Sequence, residues 1–289
     1  MSTTVRRHGL ARHVLKAMTR SLFPTVCLIV LAVVIAAVVL GPWLSSHDYY
    51  QMNPDAKLLP PSFSSGHWFG TDDLGRDLFV RTMQGGQLSL LIGVVATLIS
   101  MIVGVAWGAT AGYLGGRVDH VMMRIVDVLY AVPFLFFVIL LTVLFERNIV
   151  LIFVAIGAVN WLDMARIVRG QTLALAQRDY VTAAQVAGAG NLRIIVRHVV
   201  PNLAGIVVVY AALSIPQVIL VESFLSFLGL GVQEPLPSWG GLVESGMSVL
   251  YVAPWVLLWP ATLLAVTLVT LNFVGDALRD ALDPQDSRR

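Results

Sequence analysis

Two places in this sequence combine residue types that are capable of chemistry. The first is Phe69–Asp77, where the carboxylates of Asp72, Asp73 and Asp77 lie close to Arg76. Such a group could hold a metal ion, but the alternating Asp-x-Asp-x-Asp-Gly spacing of a calcium loop is absent, and no histidine pair stands beside it at ligand spacing. We therefore interpret this stretch as a capped turn in which Arg76 pairs with a carboxylate, and we expect no metal site and no catalytic site.

The second place is Glu222, a carboxylate inside a strongly apolar stretch. Ser226 follows it closely, but no histidine or other base lies in the apolar stretches, so nucleophilic catalysis is not indicated. A charged side chain at membrane depth is costly unless it is paired or faces water. Two interpretations stay open: Glu222 lines a substrate path, or it is a structural carboxylate bonded to a neighbouring helix or subunit.

Composition places these residues in an all-α integral membrane protein. The chain is 57% hydrophobic and 12% charged, whereas a soluble domain is about 25% charged. Its mean hydropathy is +0.80. The net charge of +2 is too small to suggest a nucleic-acid partner, and the single Cys27 excludes a disulfide framework within the chain. The phosphate-binding pattern G-x-x-x-x-G-K-[ST] is missing, so ATP binding by that route is excluded.

Apolar stretches of this length predict six transmembrane helices. They are Leu22–Leu44, a tract centred on Leu88–Tyr113, Val128–Phe145, Asn148–Leu162, Val199–Phe227, and a last helix from about Ala253 within Ser245–Gly275. The fourth stretch is short, and we expect it to continue as an amphipathic helix through Val168. Pro133 is expected to kink the third.

Basic residues set the expected orientation. With six spans, 15 of the 19 Lys and Arg residues fall on the side of the termini, which the positive-inside rule assigns to the cytoplasm of a cell-membrane protein. The expected organisation is a six-helix region at 21–284 between a cytoplasmic arm at 1–20 and a tail at 285–289. The arm is either an amphipathic interfacial helix or a simple topology signal. Within the helical region we expect an outer segment at 45–83, a cytoplasmic loop at 163–202 and an outer loop at 226–252.

The cytoplasmic loop contains a predicted helical hairpin, Asp179–Asn202. Asp179 is expected to cap a helix covering Tyr180–Ala187, and the turn Gly188-Ala189-Gly190 to stop it. Asn191 is then expected to cap a second helix that ends at Pro201. The residues that share one face of the first helix are Tyr180, Ala183, Ala184 and Ala187. Such small residues permit close docking into a groove, although any re-entrant or interfacial hairpin would show the same pattern.

A second helix-packing signal lies in the second predicted span. Gly104 and Gly108 form a G-x-x-x-G pattern among many other small residues. Small residues let helices approach closely in lipid. This pattern therefore marks packing, either inside this chain or against a partner subunit.

Three motifs carry a resemblance to a known family. Ala183-Ala184, Gly188 and Pro201 stand at the spacings found in the cytoplasmic loop of membrane subunits of binding-protein-dependent ABC importers. Thr182 departs from that pattern, because the family has Glu there. Phe69–Asp77, and Leu225–Gln233 with the following Pro237–Gly240, are similar to signatures of the peptide and nickel branch. The resemblance covers roughly residues 20–284 and is nearest to the second, C-type permease of dipeptide and oligopeptide systems.

This resemblance implies the six-helix type I importer permease fold and a role as half of a peptide translocation path. It implies a heterodimer with a second, homologous permease, two ATPase subunits or one fused ATPase that bind ATP and Mg, and an external binding protein. It implies no cofactor in this chain. ATPase coupling would involve Asp179, Tyr180, Thr182, Ala183, Ala184, Ala187, Gly188, Gly190, Arg193 and Pro201. A path or outer gate would involve Glu222, Phe224, Leu228, Leu230 and Trp239.

Alternative functions follow from the same membrane class. The same fold could import nickel or another small solute. A secondary transporter or channel would favour internal repeats and several intramembrane charges, and the sequence shows neither clearly. A membrane enzyme would need paired catalytic groups at depth, which Glu222 alone does not supply.

Overall fold

The computed structural model describes residues 22–145 and 149–282, and the regular structure of these ranges is helical. Ten α-helices make up this described part: α1 (Leu22–Leu44), α2 (Leu78–Leu114), α3 (Gly116–Ala131), α4 (Phe134–Phe145), α5 (Ile149–Ala176), α6 (Asp179–Val186), α7 (Asn191–Ile194), α8 (Val200–Phe227), α9 (Trp239–Ser248) and α10 (Trp255–Leu282). The π-helical segment Ile195–Val199 joins α7 to α8 as one continuous helix.

The first predicted span coincides with α1, because charged and turn-forming residues bound its apolar run sharply on both sides. The second predicted span lies inside α2, which has 37 residues and begins earlier than its apolar centre. Asp77 explains this early start. Its Oδ1 accepts a hydrogen bond of 2.9 Å from the backbone N–H of Val80, which satisfies one of the free amides at the helix N-terminus.

The described residues contain four helices long and apolar enough to cross a membrane. These are α1, α2, the continuous helix Asn191–Phe227, and α10. The bent pair α3 and α4 gives a fifth if it forms one span. The expectation of six spans is therefore not confirmed in this part of the chain, although a multi-pass helical membrane protein is.

The predicted third span is wrong as a single helix. Instead of one helix over Val128–Phe145, α3 ends at Ala131 and α4 starts at Phe134, with an angle of 82° between them. Pro133 causes the break, because proline pushes the preceding residue out of the helical region. Val132 accordingly adopts an extended conformation, with φ −79° and ψ 119°. The expected kink at Pro133 is thus confirmed, but as a sharp corner.

The predicted fourth span lies in α5, which runs without interruption from Ile149 to Ala176. Its continuation through Val168 as one helix is confirmed. Its second half carries the charges of Asp163, Arg166 and Arg169. The expectations for the arm at 1–20 and the tail at 285–289 lie outside the described residues.

The chain forms two compact units. The first consists mainly of residues up to 94 and from 215 onwards. In it, α10 packs on α1 and on α9, and Phe23 meets Phe273 edge to face with 4.7 Å between ring centroids. One of its core clusters contains Val34, Val38, Phe79, Val80, Met83 and Trp239.

The second unit consists mainly of residues 95–146 and 153–214. The small residues of α2 pack against α5 within it. A Cβ atom placed on Gly104 would lie 2.6 Å from the Cβ of Met164, and one on Gly108 would meet the backbone of Ala165 and Arg169. The G-x-x-x-G pattern therefore serves helix packing inside this chain, which decides between the two alternatives left by the sequence.

We predict that Gly108→Ala destabilises the second unit. The new methyl group would press on backbone atoms of α5, which cannot rotate away, and overpacking of this kind costs about 1–3 kcal/mol. Thermal unfolding of the purified chain in detergent should show a clear drop in the midpoint. Gly205→Ala is the matched control, because no atom lies within 4 Å of the position that its new Cβ would take and Ala favours a helix. Equal midpoints for the two variants would contradict this packing.

Candidate functional site

The hairpin at residues 179–202 is anchored by two fully buried side chains. Val181 on α6 and Ile194 on α7 have no exposed surface. They belong to a core cluster of the second unit that also contains Ala109, Met164, Val168, Ile195, Val199, Leu203 and Val207. The Nε2 of Gln185 adds a hydrogen bond of 3.1 Å to the hydroxyl of Tyr113 on α2. The hairpin is therefore a fixed part of the second unit.

The turn between the two arms has a defined geometry. Gly188 has φ +79°, a left-handed conformation that favours glycine. Its N–H donates to the carbonyl of Gln185 at 2.9 Å, and the N–H of Ala189 donates to that of Ala184 at 3.0 Å. This pair of bonds is the Schellman motif that ends many helices. The predicted stop at Gly188-Ala189-Gly190 is thus confirmed.

The predicted helix caps of the hairpin are wrong in detail. Asp179 is the first residue of α6, the capping position is taken by Arg178, and no side chain caps the end. Asn191 likewise opens α7 after Gly190, again without a side-chain cap. The Asp179 carboxylate still lies in the first turn, where its negative charge interacts favourably with the positive end of the helix dipole.

Pro201 does not end a helix as expected. It lies in the first turn of α8, inside the continuous helix Asn191–Phe227. Proline has no N–H to donate, so the regular pattern of backbone hydrogen bonds is interrupted at Pro201. The wider π-helical segment Ile195–Val199 directly before it lets the helix continue through this interruption. The second arm of the hairpin therefore passes straight into the long helix.

The opposite side of the hairpin is exposed and partly apolar. On the face predicted for docking, Tyr180, Ala183 and Ala187 are exposed, while Ala184 is half-buried and packs on the core cluster. The other proposed coupling residues, Thr182, Gly188, Gly190 and Arg193, are exposed as well. Large apolar side chains extend this surface: Val186 is 85% exposed, Leu192 74% and Val196 60%. Exposed apolar clusters of this kind mark interaction surfaces.

Behind the hairpin, ion pairs tie α5 to α3 within the second unit. Arg169 donates two hydrogen bonds to the carboxylate of Asp119, at 2.5 and 2.6 Å. Arg166 pairs with Asp127 at 2.9 Å, and the Tyr130 hydroxyl donates to Asp163. A bidentate Arg–carboxylate pair fixes orientation as well as distance. These contacts hold the helix that supports the hairpin.

In the first unit, Glu222 lies in a cage of serine hydroxyls. The Ser89 hydroxyl donates to its Oε2 at 3.0 Å, and the Ser226 hydroxyl donates to its Oε1 at 2.7 Å. Ser223 is 3.5 Å from Oε2, and Glu222 itself has no exposed surface. Within the described chain these contacts support the structural interpretation of Glu222, since its carboxylate faces bonded partners instead of an open path.

The same cage fixes the segment that follows α8. The N–H of Val232 donates to the Ser226 hydroxyl at 3.3 Å, and the N–H of Trp239 donates to the Ser89 hydroxyl at 3.2 Å. Ser238, whose side chain caps α9, lies 3.2 Å from Ser226. One buried polar cluster thereby joins α2, α8 and α9.

Trp239, which the resemblance assigned to a path or outer gate, lies inside the first unit. Its side chain is fully buried in the first unit, and its indole N–H donates to the carbonyl of Thr82 at 2.9 Å. Gly86 makes room for the ring, because a Cβ atom there would lie 2.5 Å from it. Phe224 and Leu228 are exposed and Leu230 is half-buried, so their gate role stays a prediction.

A buried arginine network connects the 45–83 segment to the 226–252 loop. Asp72 accepts a hydrogen bond of 2.6 Å from Arg76 Nε, as the capped-turn interpretation predicted. The two oxygens of Glu234 then accept from Arg76 at 2.7 Å and from Arg81 at 2.9 Å. Burial alone would lower the pKa of Arg76, but its bonds to Asp72 and Glu234 outweigh that effect and raise the pKa.

Sequence inspection alone missed several residues that define these sites. Ser89 and Glu234 contact partners more than 130 residues away, so no local pattern reveals them. Val181 and Ile194 are large apolar residues of short helices, but so are the exposed Val186 and Leu192, so residue type alone does not single them out. Also, His47, His67 and Asp77 place potential metal-ligand atoms within 4.8 Å of one another.

Comparison with known proteins agrees with this architecture. A family model described as binding-protein-dependent transport system inner membrane component matches residues 104–285. A model of the N-terminal transmembrane domain of oligopeptide transport permease C matches residues 12–61.

Individual relatives are similar over most of their length. The oligopeptide transport system permease protein OppC of Escherichia coli K12 is 55% identical over 90% of this chain and 86% of its own. The protein of the same name from Haemophilus influenzae is 50% identical over 90% and 83%. The dipeptide transport system permease protein DppC of Bacillus subtilis is 45% identical over 89% and 80%.

We predict that Glu234→Gln loosens the join between the 45–83 segment and the 226–252 loop. It removes the charge that two buried arginines share, and hydrogen bonds to charged groups contribute about 1.5–3 kcal/mol. Because Glu234 is half-exposed, solvent screening reduces this to about 1–2 kcal/mol. The measurement is the thermal unfolding midpoint in detergent. Glu244→Gln, at an exposed carboxylate of α9, serves as the control. An unchanged midpoint for Glu234→Gln would mean that the arginine network contributes nothing to this join.

Proposed function

The chain belongs to the binding-protein-dependent transport family of inner membrane components, in its oligopeptide permease C branch, and from this premise we propose how it works. It is the membrane subunit of an ATP-driven peptide importer and forms half of the translocation path. The relatives described above are named for oligopeptide and dipeptide transport. For that reason peptides are the proposed substrate, and nickel or another small solute is not.

The observation that carries the proposal is the two-sided hairpin at residues 179–202. One side is locked into the core of the second unit by Val181 and Ile194, and the other presents exposed apolar and small residues. A surface that is rigidly attached and apolar suits a contact through which a partner exerts force. The proposed partner is a cytoplasmic ATPase, either two subunits or one fused chain, which binds ATP and Mg.

The proposed mechanism is alternating access. When ATP draws the ATPases together, they displace the hairpin, and its anchorage transmits this displacement to α5 and to the start of the continuous helix Asn191–Phe227. ATP shifts such an equilibrium only to the extent that the ATPases bind the two states with different affinity. The energy therefore comes from the partner, and this chain contributes the lever and the path.

Thr182 fits a docking contact based on shape. The family Glu is replaced here by a shorter, uncharged side chain, and the position is exposed at the hairpin surface. The neighbouring Ala183 and Ala187 are exposed too and have no long side chains that would hold a partner away. Close approach at these positions would provide the grip that a charge provides elsewhere in the family.

The remaining parts of the proposal concern placement. The chain lies in the inner membrane with both termini in the cytoplasm, and it pairs with a second, homologous permease. An external binding protein delivers the peptide. Phe224, Leu228 and Leu230 are proposed to line the outer gate.

We predict that Gly188→Val uncouples peptide uptake from ATP hydrolysis. A β-branched residue at φ +79° strains the turn by at least about 1–2 kcal/mol, although no neighbouring atom lies within 4 Å to clash with it. The assembled importer in proteoliposomes should keep hydrolysing ATP while peptide uptake falls, with insertion of the chain unchanged. Gly170→Ala is the control, since Gly170 lies within α5 and has open space around it. Normal uptake with Gly188→Val would count against the hairpin as the coupling element.

We also predict that Thr182→Glu is tolerated. The side chain is exposed, so the added carboxylate stays in water or in the docking contact. Copurification with the ATPases and peptide uptake should remain close to the wild-type level. The adjacent Val181→Glu should instead abolish assembly, because it buries a charge in the core. If Thr182→Glu abolished assembly as well, the assignment of the docking face would be wrong.

A further inference from the structure

Three potential metal ligands converge in the 45–83 segment. His47 lies just after the end of α1, His67 lies in the middle of the segment, and Asp77 directly precedes α2. One ring nitrogen of each histidine and one carboxylate oxygen of Asp77 lie within 4.8 Å of one another. All three belong to the first unit, and none is assigned a role in the transport proposed above.

One carboxylate oxygen of Asp77 accepts a backbone hydrogen bond, and the other faces the histidines. Its Oδ1 accepts from the N–H of Val80 at the start of α2. Its Oδ2 lies 2.8 Å from Nδ1 of His67. Bonds of this kind to the second oxygen fix the orientation of a ligating carboxylate. The backbone of α2 therefore aims Oδ2 at the place where the imidazoles meet.

The rings of the two histidines stack on each other. Their ring centroids are 4.5 Å apart with 32° between the ring planes. Nδ1 of His47 is 3.4 Å from the Ser45 hydroxyl. His67 is nearly buried, at 9% exposure, whereas His47 is half-buried. The group is thus sheltered on one side and reachable from solvent on the other.

We propose that His47, His67 and Asp77 bind one divalent transition-metal ion of the Zn²⁺ type, with water as the fourth ligand. Two imidazole nitrogens and one carboxylate oxygen are a donor set that zinc accepts, and it is too rich in nitrogen for Mg²⁺ or Ca²⁺. Ligand atoms of a tetrahedral zinc site lie about 3.3 Å apart, given bonds of about 2.0–2.2 Å. The pair His67 Nδ1 and Asp77 Oδ2 needs to open by about half an ångström, and the metal replaces the proton between them.

Such an ion would connect three points of the first unit. It would tie the end of α1 to the start of α2 through the middle of the segment between them. The His67–Asp77 hydrogen bond alone joins only two of these points and leaves His47 attached by stacking. Metal binding thus predicts a gain in thermal stability that depends on His47, and a simple His–Asp pair does not.

The test uses the full chain purified in detergent with a tag that contains no histidine, in a background with His8→Gln and His13→Gln. Equilibrium dialysis against ZnCl₂ measures the bound metal, and thermal unfolding with and without ZnCl₂ measures its effect. We expect about one Zn²⁺ per chain, a raised unfolding midpoint, and no response to MgCl₂. His47→Gln and His67→Gln should each weaken Zn²⁺ binding by at least about tenfold and remove the rise in midpoint.

His120→Gln is the matched control, because His120 is an exposed histidine whose Nδ1 contacts the carbonyl of Gly116 in the second unit. It should bind Zn²⁺ like the parent chain. His47 is half-buried, so His47→Gln should disturb the fold less than His67→Gln. The His47→Gln variant therefore remains informative if His67→Gln loses its structure. Equal Zn²⁺ binding by all variants, or no binding by the parent, would overturn the proposal. Neither result bears on the ATPase-docking role of the hairpin.

Discussion

Burial of charge in an otherwise apolar chain is the constraint on which the first unit depends. Water is not available in its core, so each buried charged group needs a partner from the protein itself. Arg76 and Arg81 are nearly inaccessible, and both converge on Glu234. Glu222 is enclosed by hydroxyls from α2 and α8. Each arrangement joins segments that are distant in sequence, so meeting the electrostatic requirement also fixes how the helix ends and loops come together.

In the second unit, apolar contacts hold the hairpin at residues 179–202 in place. The proposed coupling role needs a hairpin that is exposed to its partner and yet rigid, and short helices are not stable by themselves. Val181 and Ile194 resolve this conflict, because each places one large side chain of a short helix in the core. The glycine face of α2 brings α5 close enough to form that core. The residues on the exposed side of the hairpin are not needed to hold it in place, so they can be small and apolar.

What the sequence predicts well here is local. The bounds of α1 follow from one uncharged run, and the turn at Gly188 follows from the need for glycine at a left-handed position. Contacts between distant segments were not predictable. Trp239 was expected in a substrate path or outer gate, whereas the gap left by Gly86 accommodates its buried ring. The same holds for His47 and His67, which are 20 positions apart in the sequence but stack in the fold.

The serine cage has one more property, which arises from the chemistry of hydroxyl groups. A hydroxyl can rotate, so the same group that donates a hydrogen bond to a carboxylate can accept a hydrogen bond from a carboxylic acid. Ser89 and Ser226 can therefore satisfy Glu222 in either protonation state without moving any heavy atom. The cage therefore holds α2 and α8 in the same arrangement whether the carboxyl group of Glu222 is charged or neutral.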